Sequence, residues 1–278
     1  MKSKIIQRIS KRIKTEIRVR LPIKKSEKKN EDIIISLTSY PLRYKTLFLV
    51  IRSLLHQKIK ASKIVLYLYK GESEEHPKKL LKLKRHGFEI KLVDENLGPH
   101  KKYFYALQEY SDKVVITVDD DIIYPKTLVS DLYNSYKKNS NCIIANRVHF
   151  ITKDKAHKIS SYNNWKKEYT TETRPSHNLI AIGCGGVLYP PNIFPKEVFN
   201  IVAIKKYCLN ADDIWLKFME LKNNIKVLYS GSKNYSPLCI RNTQETGLFH
   251  VNAELNKNDI YIRNMENFTS INMADFFD

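Results

Sequence analysis

From Asp32 onward, short apolar runs alternate with amphipathic stretches. Ile33-Ile34-Ile35-Ser36-Leu37 has the near-continuous hydrophobicity of a parallel strand buried on both faces, and Thr38-Ser39-Tyr40-Pro41 carries turn chemistry directly after it. The periodicity then predicts a helix over 44–57, a strand over 63–69, a helix over 74–85, a strand over 88–93, a helix over 101–109 and a strand over 114–118. This βαβαβαβ succession predicts an α/β fold built on a doubly wound, mostly parallel sheet, whose ligands bind beyond the carboxyl ends of the strands. The later half is less regular, with strands expected at 143–148, 179–188 and 225–228 and a helix over 212–221. No internal repeat is visible. Before Asp32 the pattern differs: Ile6, Ile9, Ile13 and Ile17 recur at helical spacing among Lys4, Arg8, Lys11, Arg12, Lys14 and Arg18, with Pro22 placed to end the helix. The expected organisation is a basic N-terminal arm over 1–31, amphipathic or disordered, a catalytic-sized domain over 32–255 and a C-terminal tail over 256–278.

Charge sharpens that division. The 278 residues carry a net charge of +19, and 1–30 hold twelve Lys or Arg against two Glu, so +10 of it lies in the arm. Such a cluster implies an anionic partner. Each basic residue near an anionic leaflet contributes about 1 kcal/mol, so an anionic membrane surface is the expected contact of the arm. RNA is disfavoured because the arm lacks interleaved aromatics that stack bases. The four cysteines lie far apart with no CxxC pair, which points away from a zinc knuckle or a disulfide framework. No apolar run reaches the roughly 18–20 residues of a spanning helix, and 1–30 lack the apolar core of a signal peptide. The expected location is cytoplasmic, peripheral on the inner face of the plasma membrane.

The chemistry concentrates at strand ends. Val114-Val115-Ile116-Thr117-Val118 delivers Asp119-Asp120-Asp121 at its carboxyl end. Alternation in an extended segment directs Asp119 and Asp121 to one side, where hard oxygen donors suit Mn²⁺ or Mg²⁺ bridging the phosphates of a nucleotide. The competing reading is an acidic turn capping the helix that follows. Lys101 and Lys102 open a helix, and helix N-termini and lysines both favour phosphate. Asp212 and Asp213 open another helix and would be satisfied there by its positive end even without catalysis. Ile182-Gly183-Cys184-Gly185-Gly186-Val187 places three of eight glycines in four residues, which lets a substrate approach the backbone closely, the alternative being a glycine-rich bend between strands. No Gly-Lys-Ser/Thr follows, so a phosphate-cradling P-loop is disfavoured.

Taken together, Asp119-Asp120-Asp121 after an apolar strand, Asn96-Leu97-Gly98-Pro99 and Thr38-Ser39-Tyr40-Pro41-Leu42-Arg43 resemble GT-A-fold, family 2-like glycosyltransferases of the bacterial surface-polysaccharide type, over about 32–250. The resemblance implies a GT-A, Rossmann-like sheet followed by an irregular acceptor-side half. It implies transfer of a sugar from a nucleoside-diphosphate sugar, a UDP-sugar foremost, to a glycan or lipid-linked hydroxyl in polysaccharide, capsule or lipopolysaccharide synthesis. By position, Thr38, Ser39, Tyr40, Arg43, Asn96, Lys102, Asp119 and Asp120 would contact the donor. Asp119, Asp121 and His250 would hold the metal. Gly185, Gly186 and Trp215 would face the acceptor, and Asp213 would act as base beside Asp212. The Asn210-Ala211-Asp212-Asp213-Ile214 segment also resembles exostosin-like enzymes of the same fold, which retain configuration, so the stereochemistry stays open. Two other classes compete. A sugar nucleotidyltransferase would carry a glycine-rich basic loop where Thr38-Ser39-Tyr40-Pro41 stands, and a nucleic-acid-binding protein would follow from the charge alone.

Overall fold

The computed structural model describes residues 2–23, 29–72, 78–232, 238–240 and 256–277, with the side chains of 2–9, 11, 78 and 79 left out. A seven-stranded sheet runs in the order β10-β6-β9-β4-β1-β2-β3. Its strands are β1 (Lys29–Thr38), β2 (Lys60–Tyr69), β3 (Phe88–Val93), β4 (Val114–Thr117), β6 (Ile143–Ala145), β9 (Val187–Tyr189) and β10 (Val227–Tyr229), while β5 (Ile122–Ile123), β7 (Val148–Phe150), β8 (Leu179–Ala181) and β11 (Leu238–Cys239) form two small ribbons. The pairs β4–β1, β1–β2, β2–β3 and β10–β6 are parallel, and β9 runs antiparallel between β4 and β6. The carboxyl ends of β1, β4 and β6 and the amino end of β9 therefore share one edge.

Helices cover both faces because the central strands are apolar on both. Ile33, Ile35 and Leu37 pack with Leu47, Val50 and Ile51 of α2 (Tyr44–Leu55) and, beyond α3 (Lys78–Leu81) and α4 (Lys101–Glu109), with Leu128, Val129 and Leu132 of α5 (Leu128–Tyr136). Ile34 turns the other way, against Val65, Val115 and Ala106 of α4. The second half adds α6 (Ile201–Ala203), α7 (Asp212–Lys222) and α8 (Lys257–Thr269) to that other face, in one core with β6 and β9.

Several boundaries differ from the sequence expectation. The helix expected over 74–85 appears among the described residues as α3 and a 3-10 turn at Lys84–His86, closed by Gly87 in the left-handed region at φ 93. The strand expected over 179–188 is two, β8 and β9, split by a 3-10 turn at Gly183–Gly185, and 143–148 likewise divides into β6 and β7. The expected arm ends inside β1, which begins at Lys29. The segment expected as a tail carries α8, whose Met265 is fully buried and whose Phe268 stacks on Trp215 with ring centroids 6.1 Å apart. The arm itself is helical as α1 (Lys2–Arg20), and Pro22 follows its end.

Candidate active site

The acidic turn follows from where β4 stops. Thr117 is its last strand residue, and the chain enters a turn at Asp120-Asp121, so the extended alternation that would align Asp119 with Asp121 does not continue. The observed pairing is different: Asp120 and Asp121 both approach the Arg43 guanidinium, at 2.5 and 3.2 Å, while Asp119 pairs with Lys102. Asp120 is buried and also accepts from the Ser39 hydroxyl at 2.5 Å. Burial pushes its pKa up, with Arg43 and Ser39 acting against that rise. Burial likewise opposes the charge of Arg43, but Asp120 and Asp121 outweigh it and hold the guanidinium above its ordinary value. The turn after β1 and the turn after β4 are thereby locked together. Tyr40 stacks under Arg43, 5.3 Å from its ring centroid, and Thr38 donates to the Tyr67 carbonyl at 2.9 Å.

Lys102 joins the second acidic motif to the first. Its ammonium donates to Asp119 Oδ1 at 2.7 Å and lies 2.9 Å from Asp212 Oδ2, with a side chain only 6% exposed. Burial disfavours its charge, yet Asp119, Asp212 and Asp213 together hold its pKa well above the ordinary lysine value. Lys102, expected as a donor contact, is the shared counter-ion of carboxylates from two distant segments. Lys101 points elsewhere, to Asn96 Oδ1 at 2.8 Å, and Asn96 in turn donates to Glu72 at 3.0 Å.

Asp212 and Asp213 are adjacent but electrostatically unlike. Burial acts to raise Asp212, but Lys102 overrides it and the carboxylate is held below its ordinary value. Asp213 is pushed well above, first by burial and then by the charge of Asp212. It accepts the Gly183 N–H, at 3.1 Å to Oδ1 and 3.2 Å to Oδ2. Two carboxyl groups whose pKa values are driven apart by their surroundings are the usual mark of divided acid and base roles. Beneath them His100 is fully buried: Nε2 donates to the Cys208 carbonyl and Nδ1 accepts from the Tyr103 hydroxyl, both at 2.9 Å. Burial brings its pKa down to about 4, so the imidazole is neutral at pH 7.

The glycine segment is closely packed by the protein's own side chains. A Cβ on Gly183 would stand 2.8 Å from Lys102 Nζ and 3.2 Å from Asp213 Oδ1, and one on Gly185 would meet Arg147 Cβ at 2.5 Å. Gly186, at φ 81, faces Leu128 Cδ1 at 2.6 Å. Close approach is thus required by the protein's own side chains, and neither Gly185 nor Gly186 presents its Cβ position to an acceptor. Gly183→Ala should displace Lys102 from its carboxylates and cost about 1–3 kcal/mol of stability, as overpacking does; a thermal melt beside a turnover assay checks both effects. Trp215, expected to face the acceptor, is fully buried with Nε1 donating to the Val198 carbonyl at 3.2 Å. It lies two residues, about 200° of helix, from Asp213, and so points away from that carboxyl into the core with His100 and Phe268. His250, the expected third metal ligand, lies outside the described residues.

Other participants gave no sequence signal. Tyr124, in what reads as apolar core, accepts the Asp119 N–H at 2.8 Å through its hydroxyl and donates to the Cys184 carbonyl at 3.2 Å. Arg147, at the carboxyl edge beyond β6, donates to Cys184 Sγ at 3.0 Å and pairs with Glu168 at 2.9 Å. Burial pushes the Cys184 thiol up to about 12, so it is no thiolate nucleophile at neutral pH.

Among the described residues, no cluster of three His, Cys, Asp or Glu forms a ready-made metal cage. The donor set nevertheless fits a hard cation of the magnesium kind, which takes one or two carboxylates and completes its shell with substrate phosphates and water. Asp119 and Asp121 are the candidates because their side chains stay 28% and 13% exposed at the strand edge, whereas Asp120 is buried on Arg43; a cation held there would take the places that Lys102 has on Asp119 and Arg43 on Asp121.

A model of the family described as glycosyl transferase family 2 matches residues 34–189, from β1 through β9 and over half of the chain. No curated protein matches. The matched span contains the Arg43–Asp120 lock, the acidic turn and Lys102, arranged on the mostly parallel sheet of a GT-A fold, and on that basis the chain belongs to glycosyl transferase family 2 and is a glycosyltransferase.

Proposed function

We propose that the protein transfers a sugar from a nucleoside-diphosphate donor, a UDP-sugar foremost, to a glycan or lipid-linked hydroxyl in surface-polysaccharide synthesis, with Asp213 as general base. The observation that carries this is the Lys102 bridge, which draws the acidic turn after β4 and the acidic pair opening α7 onto one ammonium. A leaving-group site and a proton acceptor must be close for transfer to be direct, and the bridge supplies that closeness.

Each residue has a part in the chemistry. The turn of Thr38, Ser39 and Tyr40, with Asn96, borders the edge where the donor would lie, and Arg43 holds the acidic turn in shape. Asp119 and Asp121 would hold a divalent cation, Mn²⁺ or Mg²⁺, which when bound supplies positive charge to the diphosphate leaving group. Asp213, its carboxyl oriented by the Gly183 N–H and made more basic by burial and by Asp212, takes the proton of the acceptor hydroxyl as its oxygen attacks the anomeric carbon. The bond from that carbon to the diphosphate breaks, and the configuration inverts. Asp212 stays ionised and fixes Lys102.

The test is thermal stabilisation by a panel of UDP-, GDP- and CDP-sugars with Mn²⁺, on wild type and Asp121→Ala. Binding stabilises by about 2.7 kcal/mol at a hundredfold excess over Kd. A metal-dependent shift for one nucleotide class, lost in the variant, is expected; no shift with any nucleotide sugar would overturn the donor site. NMR of the product anomer decides the stereochemistry, and a retained configuration would remove the base role from Asp213.

A further inference from the structure

Among its described side chains, α1 buries one side against the domain. Val19 is fully buried against the α2 core, and Arg52 donates to the carbonyls of Val19 and Leu21 while His56 Nε2 donates to the Leu21 carbonyl at 3.2 Å. The opposite side is uncovered by any described residue: Ile13 is 53%, Ile17 56% and Leu21 52% exposed. At about 100° per residue, Ile13 lies about 40° from Ile17 and Val19 falls nearly opposite it, while Lys14 and Arg20 flank Ile17 by about 60° on either side. The helix carries eight Lys or Arg and a single acidic residue, Glu16, whose carboxylate is already paired with Arg12 at 3.0 Å.

An apolar ridge between basic flanks has the charge and shape of a helix lying in the headgroup plane of an anionic bilayer. No described helix is long and apolar enough to cross a membrane. We infer that α1 seats the protein on anionic phospholipid, with Ile13, Ile17 and Leu21 at the acyl boundary and Lys14 and Arg20 among the phosphates. A second copy of the chain is a poorer occupant, because pairing two such helices would bring sixteen cations together against two acids.

The seat is coupled to the acidic turn. Arg18 Nη2 donates to the Tyr124 carbonyl at 2.6 Å, and the Tyr124 hydroxyl accepts the Asp119 N–H. α1 is thereby fastened to the residue that fastens Asp119, and a bilayer under α1 fixes the carboxyl edge of the sheet relative to the headgroups. On the glycosyl-transfer reading, that suits an acceptor anchored in lipid.

The full-length protein should co-sediment with phosphatidylcholine vesicles containing phosphatidylglycerol and not with phosphatidylcholine alone, and raised salt should weaken it. Ile13→Glu with Ile17→Glu should reduce binding about tenfold or more, since two half-exposed isoleucines lose their transfer into the acyl boundary, while Ile13→Leu with Ile17→Leu retains it. Both positions are exposed, and an unchanged melting curve confirms that the variant is folded. Equal binding to the two vesicle types, undiminished binding by the glutamate variant, or light scattering showing a dimer that the glutamate variant dissolves would each overturn the seat. Measuring the nucleotide-sugar shift on the same samples separates this from the transfer reading, because a failed shift leaves the vesicle result standing and the converse also holds.

Discussion

Asp213→Asn should lower kcat by about 10²–10⁴-fold, the usual contribution of a positioned general base, while the nucleotide-sugar thermal shift remains. The amide keeps the size of the carboxyl group beside the Gly183 N–H but cannot take up a proton. Stability should hold or rise, because burial and the neighbouring Asp212 already disfavour the Asp213 charge. The same disfavour sets the pH dependence. A base must be deprotonated to act, and the raised pKa keeps the proton on to higher pH, so kcat/KM should climb with pH through a midpoint above the ordinary carboxylate range. In Asp213→Asn that acid limb should vanish. A full-rate variant, or a limb unchanged by the substitution, would assign the proton transfer to another group.

Lys102→Met should do more harm to the fold than any other single change at the site. It removes the cation between the part-exposed Asp119 and the buried Asp212 and leaves Asp212 without its counter-charge, a change that costs about 3–5 kcal/mol when one partner of a buried pair is deleted. For a chain of this size that corresponds to a fall in Tm of roughly 6–20 °C. Adding Asp212→Asn removes one orphaned charge and should return part of the loss; calorimetry on the single and double variants checks both. A single variant that melts with wild type would mean the bridge is solvated in solution.

How far the sequence carried these conclusions depended on what each residue's partners were. β1 and β4 were readable because strands buried on both faces must be apolar throughout, and Asp119, Asp120 and Asp121 stood out against that background. Asp212 and Asp213 were readable for the same reason, as charges opening an apolar helix. The division of labour among the three aspartates was not, since it depends on β4 ending at Thr117 and on Arg43 arriving from another strand end. Lys102 stood out only as a lysine opening a helix, because the carboxylates it pairs with come from two remote segments. Trp215 shows the converse: an aromatic near an acidic pair invites a functional reading, but helical geometry turns it into the core beside Phe268. The glycines at 183 and 185 suggested close approach of a substrate, whereas the groups standing at their Cβ positions are Lys102, Asp213 and Arg147, from segments remote in sequence.

The docking of α8 on α7 bears on biosynthesis. Ribosomal synthesis delivers β1 through β4 and the acidic turn early, from segments near one another in sequence, whereas α7 rests on Met265 and Phe268, made more than forty residues after Asp213. A nascent chain therefore contains the whole of β1 through β4 and the acidic turn before the residues that α7 rests on have been made. If Asp213 is the base proposed above, a chain that ends before α8 has the acidic turn without the support of the helix that carries its base.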